Sequence, residues 1–197
     1  MLKKVGNKVE KAWSRTKSLL AAMSVWGLIF SLVTITRLSV AFDYDDTLVF
    51  STPSYSRAFA TATQPYSPEF WAVVNKSYDL EKPKLVAYPL AWLFRAFGFK
   101  VSILTARPPI EAEALKKEWR HLISRGNFVF GADAAKKNAY LQSGNYVIFF
   151  GDGDSDIQEA RRARVYPVRI RRSPKSLYKE DYHPGTLGEL VIPFSEY

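Results

Sequence analysis

The sequence predicts an α/β protein built on a doubly wound, Rossmann-like parallel sheet, with a small helical cap insert and an N-terminal hydrophobic helix. Short apolar runs with strand character alternate along the chain with segments of helical period, which implies crossover connections and parallel strands. Directly after the first of these runs, Asp43 to Thr47 gathers three carboxylates and a hydroxyl. Because ligands bind outside the carboxyl ends of the strands in such sheets, we expect the functional site there.

Composition sets the size and class of the protein. Its 197 residues, 47% hydrophobic and 24% charged, suffice for one well-packed domain with an appendage. The absence of cysteine excludes disulfides and Cys-ligated metal centres. Residues 1–17 hold six basic residues and one acidic residue, so most of the net charge of +9 lies in this tail. Nucleic acid is therefore not an expected partner, and we interpret the basic stretch over residues 161–179 as a solvated surface.

Residues 1–37 form the first predicted domain, in which a basic tail precedes an uncharged apolar stretch, Leu19 to Thr36. At about 1.5 Å per residue, this stretch is just long enough to cross the hydrocarbon core of a bilayer as a helix. Basic residues precede it and only Arg37 follows soon after, so the positive-inside rule places the tail in the cytoplasm. We therefore expect a transmembrane signal anchor whose following domain is exported to the periplasm or the extracellular space.

Two other interpretations of this stretch stay open. A cleavable signal peptide would need the small-residue motif Ser39-Val40-Ala41, and cleavage there would cut the first strand. A buried helix of a soluble domain would instead leave the protein in the cytoplasm. We prefer the anchor, because residues 19–36 reach the length of a membrane span without a charge.

Residues 38–197 form the second predicted domain, which begins with a buried strand over Leu38–Phe42. Its cap-like insert covers about residues 51–98. Within the insert, Ser51–Tyr66 is rich in Ser, Thr, Pro and Tyr and is typical of a loop. Ser67, which is followed by proline, is the expected N-cap of a helix.

Four further strands and four further helices are predicted from periodicity and from turn residues. The strands are Val101–Leu104, Asn127–Phe130, Tyr146–Phe150 and Val165–Ile170. The helices are Pro83–Phe97, Ile110–Ser124, Ala134–Leu141 and about Ile157–Arg164. Polar side chains follow three of the strands, at Asp43, Thr105 and Asp152. We expect all three to emerge at one edge of the sheet, because parallel strands end on the same side.

The acidic residues at this edge predict a cation site. Asp43 and Asp45 are two residues apart, so their side chains point to the same side while the backbone stays extended. Carboxylates this close repel each other, and Asp152 adds a third, so the site needs a positive counter-ion. Mg²⁺ fits best, because it binds through a few carboxylates together with the phosphate oxygens of a substrate. A small phosphate ester is therefore the expected substrate.

Hydrolysis of a phosphate monoester requires a positioned nucleophile and neutralisation of the charge on the transferring oxygens. We assign Asp43 as the nucleophile, which would form an aspartyl-phosphate. Asp45 would protonate the leaving alkoxide and later deprotonate the hydrolytic water. Thr105 and a lysine, either Lys136 or Lys137, would hold the phosphate oxygens.

Several ordered motifs resemble those of the haloacid dehalogenase-like superfamily. They are Asp43-Tyr44-Asp45-Asp46-Thr47, the strand-ending Thr105, a lysine, and Gly151-Asp152-Gly153-Asp154-Ser155-Asp156. More narrowly, the chain resembles the class B acid phosphatases in Phe42 to Pro53, in Phe70-Trp71 and in the C-terminal Ser195-Glu196-Tyr197. The likeness covers about Ser39 to Tyr197, and agreement of several ordered motifs is far more specific than one Asp-x-Asp pair.

The resemblance implies a Mg²⁺-dependent acid phosphatase. By position it makes Asp43 the nucleophile and a metal ligand, and Asp45 the acid/base with its carbonyl on the metal. It makes Asp152 a metal ligand and Asp156 a support of the metal site. It also favours Lys137 as the phosphate-binding lysine, because the spacing from this lysine to Asp152 matches the family pattern. Phosphotransfer to alcohols is a further implied activity.

Tyr55, Trp71, Arg107 and Tyr178 are the candidate substrate-binding residues. The three aromatic residues match positions at which the family presents rings to the leaving group, which implies a slot for a nucleoside or an aryl group. The family is secreted through a cleaved signal and assembles as a tetramer, whereas only the apolar stretch precedes the first strand here. Release from the membrane and homo-oligomer formation therefore stay open.

Two alternative functions compete with this hypothesis. One is a non-catalytic, membrane-anchored module that binds phosphate ligands, and the other is a cytosolic phosphatase of the same superfamily. The presence of both Asp43 and Asp45 argues against the first, because binding alone needs no acid/base.

Overall fold

The computed structural model describes the backbone of residues 2–123 and 126–197, and the side chains of residues 10–11, 13–123 and 126–197. The strands are β1 (Ser39–Asp43), β2 (Val49–Phe50), β3 (Lys82–Pro83), β4 (Lys100–Leu104), β5 (Phe128–Val129), β6 (Tyr146–Gly151), β7 (Tyr166–Arg169) and β8 (Leu190–Val191). The helices are α1 (Leu2–Thr36), α2 (Thr52–Thr61), α3 (Pro68–Lys76), α4 (Ala87–Ala96), α5 (Glu113–Trp119), α6 (Ala134–Gln142) and α7 (Asp154–Arg162), with a 3₁₀ turn at Tyr78–Leu80.

Six strands form one parallel sheet in the order β5-β4-β1-β6-β7-β8, which confirms the predicted fold class. The five predicted strands are all present, and β1 lies between β4 and β6 in the middle of the sheet. The short strand β8 adds an edge that the sequence does not predict. Strands β2 and β3 form a separate antiparallel pair beside the sheet.

Helices cover both faces of the sheet, because the central strands are apolar on both sides. On one face, Phe42 of β1 stacks on Phe150 of β6, with ring centroids 4.4 Å apart, and packs with α4 and α5. On the other face, Ala41 packs with α6 and α7 through Leu141 and Ala160. Strands buried on both faces are typical of doubly wound sheets.

The prediction of a loop over Ser51–Tyr66 is wrong, because α2 occupies much of this range. A proline stands in the first turn of α2, where its fixed φ and missing N–H are tolerated. Tyr55 and Ala58 of α2 pack against Phe70 and Val74 of α3 in a small core of their own. This tertiary packing stabilises a helix whose composition alone is typical of a loop. The predicted N-cap is confirmed: the Ser67 side chain accepts a hydrogen bond from Phe70 N at 3.2 Å.

Two other predicted helices are shorter than expected. The helix predicted from Pro83 begins at Ala87, since the preceding residues pair as strand β3. The helix predicted over Ile110–Ser124 is α5, which begins only at Glu113, and Ser124 lies outside the described residues. Two prolines precede this helix, and Glu111 adopts a left-handed φ of 52°, so the backbone enters the helix late.

Helix α1 stands largely outside the packed domain. Of the described residues, Trp13–Thr36 is the one helical segment long and apolar enough to cross a membrane by length and composition. Only 6% of its apolar window is buried. A face that includes the buried Val33 contacts the domain, and β1 begins three residues after α1 ends. One alternative interpretation expected this segment to be buried in the core of a soluble domain, and the structure does not bury it there.

Candidate active site

Polar side chains gather at the carboxyl edge of the sheet, as the topology predicts. Asp43 ends β1, Thr105 follows β4, and Asp152 follows β6. The cleft at this edge has a volume of about 270 Å³, and its lining includes Asp43, Asp45 and Asp152. Parallel neighbours therefore bring together residues that lie far apart in the sequence.

Three carboxylates in this cleft lie close enough to hold one metal ion. Oxygen atoms of Asp43, Asp152 and Asp156 all lie within 4.8 Å of one another, and the three residues are buried. Asp45 was expected to reach the metal through its backbone carbonyl, and its carboxylate lies outside this cluster. The structure therefore gathers the three residues that were expected to serve the metal site through their side chains.

Lys137 places a positive charge between two members of this cluster. Its Nζ donates hydrogen bonds to Asp43 Oδ1 and to Asp156 Oδ1, each at 2.7 Å. The neighbouring Lys136 points to solvent, where it donates to Gly131 O at 3.0 Å. The helical rotation between adjacent residues of α6 separates the two lysines, and only Lys137 is placed at the cleft.

Arg172 is a member of the site that the sequence analysis missed. It was assigned to a solvated basic surface, but its guanidinium Nε donates a short hydrogen bond to Asp152 Oδ2. Thr47 Oγ1 donates to the other oxygen of Asp152 at 3.0 Å. A usable signal was present: Arg172 lies two residues after the end of a predicted strand, so it reaches the same sheet edge as the acids. Arg169 from the same stretch is also buried, paired with Glu189 and Asp154.

The cluster carries more negative charge than its neighbours neutralise. Burial raises the pKa of Asp43 well above its usual range; Lys137 opposes this rise, while Asp156 and Asp152 add to it. Burial likewise raises the pKa of Asp152 against the opposing charge of Arg172. For Lys137, burial alone would lower the pKa, but Asp156 and Asp43 outweigh it, so the pKa is raised and the ammonium stays charged. The donor set is hard, anionic and under-neutralised, which fits a divalent cation.

Asp156 approaches the end of β6 so closely that a glycine is required there. A Cβ on Gly151 would lie 2.4 Å from Asp156 Cβ. The Gly153 amide also donates to Asp156 Oδ2 at 3.3 Å, at the start of α7. These contacts fix the carboxylate that Lys137 bridges to Asp43.

Asp154 belongs to the same motif, but its contacts serve to hold the fold together. Its carboxylate binds Arg169 and lies 2.7 Å from Nδ1 of His183. The contact ties the C-terminal segment to the start of α7 rather than to the cleft.

Arg107 holds the second aspartate of the motif. Its guanidinium donates to both oxygens of Asp45, with Nε at 3.1 Å from each and Nη2 at 2.5 Å from Oδ1. Nη2 also donates to Glu81 at 2.6 Å, and Glu81 in turn accepts from the Tyr44 hydroxyl at 2.5 Å and from Ser54 at 2.6 Å. Glu81 is a second residue that the sequence analysis missed, and no motif signals it.

The assignment of Arg107 to direct substrate binding therefore needs correction. Its side chain is fully buried, and it does not line the cleft, whereas the neighbouring Ala106 does. Two carboxylates draw the guanidinium inward, because a buried arginine requires paired acceptors. Thr105 Oγ1 donates to Asp45 Oδ2 at 3.3 Å. Arg107 and Thr105 are thus both placed to orient the Asp45 carboxylate.

Aromatic rings form one wall of the cleft. Tyr55 contacts Trp71 and Tyr178 edge to face, at centroid distances of 6.0 and 5.4 Å. All three rings line the cleft together with the aspartates, so the structure brings the predicted aromatic residues together. Tyr66, from the segment predicted as a loop, extends this wall by contacting Trp71 and the Tyr178 hydroxyl.

Comparison with known proteins places this site in a family. No protein-family model matches the chain. A class B acid phosphatase from Klebsiella pneumoniae is 33% identical over 174 aligned residues, which cover 81% of this chain and 73% of that protein. The class B acid phosphatase from Salmonella typhimurium is 32% identical with the same coverage.

Solved structures show the same architecture. A structure described as a predicted phosphoglycolate phosphatase from Haemophilus somnus has a TM-score of 0.55 at 15% identity, covering 80% of this chain and 95% of that one. A HAD family hydrolase from Salmonella enterica serovar Typhi has a TM-score of 0.50 at 17% identity, covering 75% and 68%. The fold is thus that of the haloacid dehalogenase-like hydrolases. Within that class, the chain belongs to the class B acid phosphatase family, whose members are phosphoric monoester hydrolases.

The carboxylate cluster predicts stabilisation by a divalent cation. Addition of Mg²⁺ to the full chain in detergent should raise its melting temperature, because the ion binds only the folded site. At a hundredfold excess over the Kd, such binding stabilises by about 2.7 kcal/mol. Asp152→Asn should lose most of this shift, and the exposed Asp79→Asn should retain it. Equal shifts in the two variants would contradict a cation site at the cluster.

Proposed function

We propose that this chain is a Mg²⁺-dependent acid phosphatase that hydrolyses nucleotides and aryl phosphates through an aspartyl-phosphate. The observation that carries the proposal is the joint placement of Asp43 and Asp45 in one cleft. One carboxylate lies against a lysine and two further acids, and the other is held by an arginine. This arrangement supplies a nucleophile and a separate acid/base, which a phosphate-binding module would not need.

Asp43 acts as the nucleophile in this proposal. Its carboxylate oxygen attacks the phosphorus, the bond from phosphorus to the leaving oxygen breaks, and an aspartyl-phosphate forms. Lys137 lies 2.7 Å from Asp43 Oδ1, so it can neutralise the charge on a phosphoryl group bound there. Water then attacks the phosphorus, which releases inorganic phosphate and regenerates Asp43.

Asp45 transfers the protons of both steps. It gives a proton to the leaving alkoxide and takes one from the attacking water. Arg107 and Thr105 fix the direction of this carboxylate, and Glu81 holds Arg107 from behind. Arg107 is accordingly a positioning residue in this proposal, and Thr105 either shares that role or contacts the phosphoryl oxygens.

Asp43, Asp152 and Asp156 would hold Mg²⁺, with the Asp45 backbone carbonyl as the further ligand expected from the family resemblance. When bound, the ion supplies neutralisation of negative charge on the phosphoryl oxygens and orients the ester. The choice of Mg²⁺ rests on the all-oxygen donor set, which suits a hard cation.

The aromatic wall supports the proposed substrate class. Tyr55, Trp71 and Tyr178 present ring faces and edges next to the acids, so a flat apolar leaving group such as a base or an aryl ring can stack there. Because the same open cleft admits water or an alcohol as acceptor, phosphotransfer to alcohols is part of the proposal. Small phosphate esters remain the substrate class in either case.

Replacement of the nucleophile is the direct test. Asp43→Asn should lower kcat on nucleotide and aryl phosphates by on the order of 10³-fold or more, because an amide cannot form the acyl phosphate. Asp79→Asn serves as the control and should match the wild-type protein in both conditions, with full activity in Mg²⁺ and loss of activity in chelator. Substantial turnover by a folded Asp43→Asn protein would refute the aspartyl-phosphate route.

The two adjacent lysines allow a matched test of phosphate stabilisation. Lys137→Met should lower kcat/KM by roughly 10²–10³-fold, since it removes the charge nearest to the nucleophile. Lys136→Met should change kcat/KM by less than about twofold, because that ammonium lies in solvent. Comparable losses in both variants would assign the effect to helix α6 rather than to a positioned charge.

We further propose that α1 anchors the enzyme in a membrane with the catalytic domain exported. The segment Trp13–Thr36 supports this by length, composition and exposure, and the basic tail gives the direction. The full chain should sediment with membranes, resist carbonate extraction and dissolve in detergent. Met23→Arg combined with Leu28→Arg should release it, since each charge at a span centre costs about 2.5–3.5 kcal/mol. Recovery of the unaltered full chain in the soluble fraction would contradict the anchor.

A further inference from the structure

Helix α4 exposes an apolar stripe where a surface helix normally shows polar residues. Pro89, Trp92, Leu93 and Ala96 recur at helical spacing and all face outward, with Trp92 36% and Leu93 52% exposed. Arg95, the one charged residue in α4, lies over the Trp92 ring at 5.2 Å and donates to a backbone carbonyl. A stripe of this kind on a helix marks a candidate contact surface.

The C-terminal end of α4 is joined to α1. Phe97, directly after α4, places its ring 6.5 Å from that of Trp26. The next residue, Gly98, lies so close to α1 that a Cβ there would come within 2.9 Å of Thr34 Oγ1 and 3.1 Å of the Phe30 ring. Trp26, Phe30 and Thr34 recur every four residues, so one face of α1 carries the contact.

Hydrogen bonds at the junction fix α1 against the domain. The Asn145 side chain donates to Thr36 O at 3.0 Å, and the Ser39 amide donates to Asn145 O at 2.8 Å. The Leu38 amide also donates to Val33 O at 3.1 Å. The last turn of α1 is thus tied to the loop before β6, and the domain cannot swing freely away from the helix.

The contact has a consequence for membrane depth. Trp26 lies ten residues before Thr36, which is about 15 Å along the helix axis. The 24 residues Trp13–Thr36 span about 36 Å, against a hydrocarbon core of about 30 Å. A centred span therefore leaves only about 3 Å of helix outside the core on each side. Trp26 then lies about 12 Å inside the core, so a bilayer that takes up this segment must also take up Phe97 at the end of α4, which contacts it.

The amino edge of the sheet, where α1 leads into β1, also carries side chains that suit lipid headgroups. Arg161 and Arg164 are exposed and line a shallow depression with Tyr146 and Tyr166, at the start of β6 and β7. Tyr166 is 57% exposed. Exposed tyrosine and arginine are typical of the interfacial layer, where aromatic rings lie among headgroups and cations meet lipid phosphates.

We propose that the outer stripe of α4, Pro89, Trp92, Leu93 and Ala96, lies in the bilayer beside α1, in the leaflet on the exported side. The stripe is a second membrane contact, and with α1 it holds the carboxyl edge of the sheet and its cleft away from the membrane. This inference rests on the membrane anchor proposed above. Lipid is the favoured occupant because the stripe is continuous, through Phe97, with the exposed apolar surface of α1.

The absence of cysteine makes a site-specific probe straightforward. An environment-sensitive fluorophore would be attached to Leu93→Cys and, as the matched control, to Leu177→Cys. The two native leucines are similarly exposed, at 52% and 48%. Leu177 lies in the loop beyond β7, on the cleft side. Each full chain would be placed in nanodiscs of phosphatidylcholine and phosphatidylglycerol, with and without lipid that carries a nitroxide near the headgroup.

The expected result is that nitroxide lipid quenches the probe at Leu93→Cys several-fold more strongly than the probe at Leu177→Cys. Equal, weak quenching of both probes in protein that is embedded in discs would overturn the α4 contact while leaving the anchor intact. A shielded but unquenched probe at Leu93→Cys would assign the stripe to a second copy and also overturn it. Failure of the chain to enter discs would refute the anchor itself, and with it this inference.

Discussion

The burial of like charges beyond the ends of two neighbouring strands, β1 and β6, is the constraint on which this protein depends. Asp43, Asp152 and Asp156 lie within 4.8 Å of one another in a cleft, where their charges are far less screened than in water. Lys137 bridges two of them and Arg172 pairs with the third. The residual negative charge makes the site receptive to a cation, and through that cation to a phosphate ester. The remaining contacts of the cleft preserve this arrangement.

A second charged network joins the helical insert to the same edge. Glu81 lies between Arg107, which grips Asp45, and two hydroxyls, those of Tyr44 and Ser54. Ser54 belongs to α2, so the insert that supplies Tyr55 and Trp71 to the aromatic wall is connected to the proposed acid/base through one buried carboxylate. The proposed substrate selection by the rings and the proposed proton transfer by Asp45 thus depend on one shared set of hydrogen bonds, which is costly to break because most of its members are buried.

The two edges of the sheet have different partners. The carboxyl edge carries the cleft, while the amino edge joins α1 and presents apolar and basic side chains. Because strands of a parallel sheet all run the same way, a helix that enters β1 at one edge leaves Asp43 at the other. The cleft therefore lies at the edge of the sheet opposite to the one that α1 joins.

The sequence by itself determined the apolar runs, their acidic ends and the helical period, which suffice to predict a parallel sheet and to choose Asp43, Asp45 and Asp152 as site residues. Those features are local, and parallel topology converts them into a common edge. Sequence patterns did not predict α2, whose helix depends on packing between Tyr55 and Phe70. They also did not predict the roles of Glu81 and Arg172, and they assigned Arg107 to the substrate rather than to Asp45. Only tertiary structure decided these, because the pairing of a buried charge depends on which distant partner the fold brings within hydrogen-bond distance.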